Sequence, residues 1–159
     1  MDVKSRHHLR SDEIDELAAS LADRLGVDLD GDDYERVEFT DVDREVILVD
    51  GEPLVASFDG DRFLTVRGAN EYPPDRHVVT VDSGAISFVS DGADVMRPGI
   101  VAASDDIEPG DLAVVVEEQH DKALAVARAD VAGAEMVGDS GKVLENLHHV
   151  GDELYEFRV

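Results

Sequence analysis

Residues 81–85 read "VDSGA" and follow the apolar run "HVVT". An apolar pair, then Asp, Ser or Thr, Gly and a small residue, spells a turn in which two aspartates share one proton and activate water against a peptide bond. That chemistry needs a second carboxylate, so a chain with one copy of the motif must dimerise. It also needs a later apolar-apolar-Gly segment to brace the turn, for which "MVG" at 136–138 is available. The competing reading makes Asp82 a helix N-cap whose carboxylate accepts backbone N–H bonds. The following residues favour the cap. In "GAISFVSDGADVM", Ile86, Val89 and Ala93 recur at spacings of three and four, as on a short helix starting at Ser83 or Gly84.

The histidine pairs His7–His8 and His148–His149 raise metal chemistry. Neighbours on a strand point to opposite faces, so His148 and His149 cannot chelate one ion together. The chain has no Cys and no helical His-x-x-x-His, and no metal site is expected. The aspartates of "VDLDGDD" (27–33) fail as an EF-hand, because no glutamate closes a twelve-residue loop and no second helix follows. Without Cys there is no disulfide or cysteine nucleophile, and neither GxSxG nor a P-loop appears. The expectation is a protein without catalytic residues or cofactor.

The elements that must position these residues fall into two sets. "SDEIDELAASLADRLG" places Ile14, Leu17, Leu21 and Leu25 on one helical face, with Ser11 as N-cap and Gly26 as C-cap. Four strand-like runs follow: "YERVEF", "EVILV", "PLVASF" and "RFLTV", the last three separated by "DGE" and "DGD" turns. "GANEYPPD" (68–75) carries the domain boundary, dividing the chain into 1–74 and 75–159. Beyond it lie "HVVTV", "PGIVAA", "DLAVVV", "ALAVARA", "NLHHV" and "LYEFRV", short strands at the spacing of a small barrel. The predicted fold class is α+β: a small N-terminal α+β domain followed by a C-terminal β-barrel with short helices. No apolar run approaches the ~20 residues that span a bilayer, and "MDVKSRHHLRSDE" has no apolar signal core. A soluble, cytoplasmic protein with no membrane partner is expected.

Taken whole, "VDSGAISFVSDGADVMRPGI" (81–100) resembles the signature of the PUA domain, an RNA-binding module of pseudouridine synthases and archaeosine transglycosylases. Asp82, Gly84, Ala85, Gly92, Ala93, Val95, Met96, Pro98, Gly99 and Ile100 fill its places. "EPGD" (108–111), the segment ending in Ala134, Glu135 and Met136, and "GKVLENLHHVGDELYEF" (141–157) resemble the later parts, with Tyr155 where the family often has Trp. The opening "KSRHHLRSDEIDEL" before a small α+β domain resembles archaeal relatives of the malignant T-cell-amplified sequence family, whose eukaryotic members pair with density-regulated protein in translation. The resemblance implies that Asp82 is structural. It also implies that Gly84, Ala85, Arg97, Pro98, Gly99 and Lys142 face RNA, a tRNA or rRNA helix end or 3′ terminus. The small ribosomal subunit or a translation factor would be a partner. The alternative it leaves is an accessory RNA-targeting subunit for an enzyme of pseudouridine or archaeosine formation. Lys4, Arg6 and Arg10, with only Asp2 against them in the first ten residues, form a secondary basic patch.

Charge restricts how RNA could be held. With 38 acidic against 14 basic residues the formal net charge is −24, and residues 75–159 alone carry 18 acidic and 6 basic side chains. Binding must rest on a few arginines, stacking and backbone contacts, since no broad basic groove exists. Aspartates in every loop, three lysines among fourteen cations and 43% hydrophobic content describe a folded protein suited to molar salt. Near 1 M the Debye length is only ~3 Å and such a surface repels itself little. Dialysis to millimolar salt should therefore unfold the chain, with loss of the far-UV circular dichroism seen in molar KCl; an unchanged spectrum would contradict this reading.

Overall fold

The computed structural model describes residues 1–159. The first half is one helix over a meander. Helix α1 (Ser11–Leu25) buries Leu17, Leu21 and Leu25, the predicted stripe. Ser11 is its first helical residue, not its cap: Arg10 takes the N-cap position, and its N–H donates to Glu13 Oε1 at 3.4 Å. Gly26 ends the helix as expected, with φ +71° and its N–H on the Ala22 carbonyl. A Cβ there would lie 1.9 Å from Asp75 Oδ1, so glycine is required twice over.

Strands β2 (Tyr34–Phe39), β3 (Glu45–Val49), β4 (Glu52–Phe58) and β5 (Asp61–Leu64) form an antiparallel meander at the predicted places. A further strand, β1 (Val3–His8), pairs antiparallel with β2 at the edge. Most of its side chains are exposed, so it carries no apolar alternation that a sequence reading could detect. The run "RFLTV" stops being a strand at Leu64, because Thr65 Oγ1 accepts the Gly68 N–H at 3.0 Å and caps a short helix, α2 (Val66–Glu71).

The second half is a six-stranded sheet curled into a nearly closed barrel, in the order β7 (Val95–Met96), β11 (Lys142–His149), β10 (Ala123–Ala129), β9 (Leu112–Glu117), β6 (Val78–Val81), β8 (Ile100–Ala103). All neighbours are antiparallel except β6 and β9. The expected strand "LYEFRV" is instead helix α4 (Glu153–Glu156), initiated by Asp152, which accepts the Tyr155 N–H at 2.8 Å. No helix is long and apolar enough to cross a membrane.

The two halves share a wall. Along β9, Leu112, Val114 and Val116 enter the core that contains α1 and the meander, while Ala113 and Val115 enter the barrel core. This is why "LAVVVE" is apolar almost without interruption: a strand buried on both faces has no solvent side to mark with polar residues.

One side chain on β11 fastens the halves. His148 has no exposed surface. Its Nε2 accepts the Val66 N–H at 3.1 Å, and Nδ1 lies 2.9 Å from Asp152 Oδ2. Together these require the neutral tautomer with its proton on Nδ1. Burial pushes the imidazole below its ordinary value of 6.5. Burial alone would raise Asp152, but hydrogen bonds from His148 and two backbone N–H groups outweigh it and bring the carboxyl to about 2. Since the unfolded chain takes up a proton that the folded His148 refuses, stability is fully present above pH 6.5 and is lost as pH falls below that value. Protonation would also orphan the Val66 N–H, at a cost of ~1–3 kcal/mol. Denaturant midpoints measured from pH 7.5 to 5 should fall for the wild type, and His148→Asn should be less stable throughout but with a shallower slope.

Candidate nucleic-acid interface

The segment 81–100 folds around Asp82. Its Oδ1 accepts the Ala85 N–H at 3.1 Å, and its own N–H donates to the Gly99 carbonyl at 2.9 Å. The cap starts a 3-10 turn over Ser83–Ala85 that runs into helix α3 (Ile86–Ser90). The carboxylate thus has the structural role expected of it, and the short helix begins where the sequence places it.

Helix α3 directs Ile86 and Val89 into the barrel core. Phe88 lies off that stripe and is 67% exposed. Across from it, Met96 at the end of β7 is 48% exposed. Between them runs an apolar cleft of about 350 Å³, lined by Ala85, Phe88, Val95, Met96, Pro98 and the backbone of Gly84 and Gly99, with Asp82 and Asp94 at its edge. The two glycines differ in role. A Cβ on Gly84 would meet nothing closer than Asp82 Oδ1 at 3.4 Å, so its backbone stands open to a ligand. A Cβ on Gly99 would sit 3.0 Å from Ala85 Cβ, so this glycine lets the two sides of the cleft close together.

Strand β11 holds the cleft from behind. Asn146 Nδ2 donates to the carbonyls of Val89 and Ala93, both at 3.0 Å, and its N–H donates to Asp94 Oδ1 at 2.9 Å. These bonds fix the turn between α3 and β7. In that turn Gly92 has φ +96°, and an added Cβ would lie 2.9 Å from His149 Nε2.

Of the residues implied by the resemblance, Gly84, Ala85, Pro98 and Gly99 come together in the cleft. Arg97 turns away from it. Its Nε donates to the Glu135 carbonyl at 2.9 Å and its Nη1 to the Ser140 carbonyl at 3.0 Å, tying down the 135–141 loop. Lys142 pairs with Met96 across the β11–β7 ladder, with Nζ 3.7 Å from both Asp94 and Asp130. The secondary patch lies on the first half. Arg6 is bound to Glu35 and Arg10 to Asp12, while Lys4 is exposed on β1. Tyr155 lies beneath Arg67, whose guanidinium carbon is 4.2 Å from the ring centroid. Phe88 and Met96 were not among the expected site residues. The available signal was Phe88's place outside the Ile86–Val89 stripe.

The PUA domain family matches residues 77–151. An uncharacterized protein of Methanocaldococcus jannaschii is 44% identical over 117 residues, covering 73% of this chain and 72% of that one. Translation machinery-associated protein 20 of Saccharomyces cerevisiae is 32% identical over 122 residues, covering 72% and 67%. A conserved PUA domain protein from Thermoplasma acidophilum superposes with a TM-score of 0.82 at 30% identity, over 95% of this chain and 97% of that one. The chain belongs to the family of PUA-domain proteins that includes translation machinery-associated protein 20 and the malignant T-cell-amplified sequence proteins.

Proposed function

We propose that this chain is a non-enzymatic RNA-binding protein of the translation machinery, which engages tRNA or the small ribosomal subunit through the cleft of residues 82–99. Residues 75–159 form the recognition unit and residues 1–74 its companion domain. The relatives' names support the setting in translation. The observation that carries the site is the pairing of an exposed aromatic ring with an open glycine backbone. Phe88 and the open main chain of Gly84 line the same cleft, whose side chains are mostly apolar.

That pairing suits an unpaired base at an RNA end. A base stacks on an aromatic face regardless of bulk charge, and the contact survives salt that would screen phosphate attraction. A protein of net charge −24 in molar salt has little other means of holding RNA. Pro98 and Met96 extend the apolar surface beside the ring, and Lys142 offsets Asp94 and Asp130 at the rim. Arg97 acts by holding the 135–141 loop and not by touching RNA.

Loss of one stacked base costs ~1–3 kcal/mol, so Phe88→Ala should weaken binding of a labelled tRNA 3′ end by about five- to a hundred-and-fifty-fold. The anisotropy titration is run at one fixed molar KCl concentration, with Lys122→Ala as a control outside the cleft. Arg97→Ala should lower thermal stability by about 1 kcal/mol, a shift of ~2–4 °C, with RNA affinity little changed. Wild-type affinity in Phe88→Ala would remove the cleft as the site, and absence of the wild type from small-subunit fractions would remove the small subunit as its target.

A further inference from the structure

We propose that His8, Asp33 and Glu35 form a binding site for one divalent first-row transition ion of the zinc and cobalt class, on the first half of the chain and independent of the RNA cleft. The β1–β2 register places His8 directly opposite Glu35. Directly paired residues in an antiparallel ladder project on the same face, so both side chains lie together. Asp33 immediately precedes β2 and joins them. His8 Nε2 is 3.0 Å from Asp33 Oδ1 and 3.9 Å from Glu35 Oε1, and one ligand atom from each residue lies within 4.8 Å of the other two.

The geometry is prepared on its more rigid side. Glu35 is the least exposed of the three, and its Oε2 accepts two bonds from Arg6, from Nε at 3.1 Å and Nη2 at 2.8 Å. The Arg6 bonds hold the carboxylate plane and leave Oε1 turned toward His8. A hydrogen-bonded carboxylate behind the coordinating atom is the support that metal ligands need. The loop bearing Asp33 is fixed as well, since Asp50 Oδ1 accepts the N–H groups of Asp32 and Asp33 at 3.0 and 2.8 Å. His8 and Asp33 are exposed. Ligand atoms bound at ~2.1 Å stand ~3.0–3.5 Å apart, so closing the triangle asks only for side-chain rotation.

The ligand set selects the ion. One imidazole nitrogen with two carboxylates suits Zn²⁺ or Co²⁺ better than Mg²⁺, which prefers oxygen ligands and keeps its waters. Asp28, Asp30 and Asp32 nearby on the same loop draw cations toward the site. A bound ion would fasten the edge strand β1 to β2 and to the 27–33 loop.

The test is a Co²⁺ titration of the whole chain in molar KCl, with excess Mg²⁺ occupying weak carboxylate sites, followed by visible absorption. The wild type and His120→Ala should each saturate with one equivalent. His8→Ala and Asp33→Asn should bind at least about tenfold more weakly, with circular dichroism confirming an unchanged fold. A wild type with no saturable absorption under excess Mg²⁺ would reduce the trio to an exposed ion pair and overturn the proposal. Equal titrations of wild type and His8→Ala would overturn it too.

Discussion

Both ring nitrogens of His148 are committed, one to the N–H of Val66 in the first half of the chain and the other to Asp152 beyond β11. The ring also stacks on Phe58 from β4, with centroids 6.0 Å apart. A buried imidazole with one donor and one acceptor, each used once, carries no unmet hydrogen-bonding demand. Few other side chains can face a backbone donor on one side and a carboxylate on the other. Asp152 in turn starts α4, and α4 delivers Leu154 to the core under the meander. This one ring thus adds a polar tie between the meander, the barrel and the C-terminal helix to the apolar wall that the halves share along β9.

The same strand supports the recognition face. Two residues before His148, Asn146 holds the turn between α3 and β7, and at the start of the strand Lys142 lies opposite Met96. Arg97, just after β7, adds a third tie to the loop that leads into β11. The cleft is therefore made of short, weakly structured pieces, a 3-10 turn, a five-residue helix and a two-residue strand, held in place by polar side chains behind them. The bracing is incomplete at one atom: both bonds of the Asn146 amide run from Nδ2, and its Oδ1 is buried without a hydrogen-bond partner.

Much of this was legible in the residues. The α1 stripe, strands β2 to β5, the cap at Asp82 and the gathering of Gly84, Ala85, Pro98 and Gly99 follow from periodicity, turn chemistry and the family signature. What escaped had no local signal. Strand β1 is made by backbone pairing under polar side chains. Helices α2 and α4 depend on caps, Thr65 and Asp152, that look like ordinary strand-end residues. Arg97 bonds the carbonyls of Glu135 and Ser140. Those carbonyls lie some forty residues further along the chain, a pairing invisible without the fold. His8, Asp33 and Glu35 are brought together only by strand register.

Strand β9 bears on how the chain can be divided. Leu112, Val114 and Val116 belong to one hydrophobic core, and Ala113 and Val115 to the other. A cut near residue 75 would leave Leu112, Val114 and Val116 facing water on the barrel fragment, an uncovered apolar stripe of the kind that drives self-association. The barrel is in this sense a half-finished surface, and the meander completes it. Recombining this barrel with another partner would require either a new cover of matching shape or polar replacements on one face of a single strand.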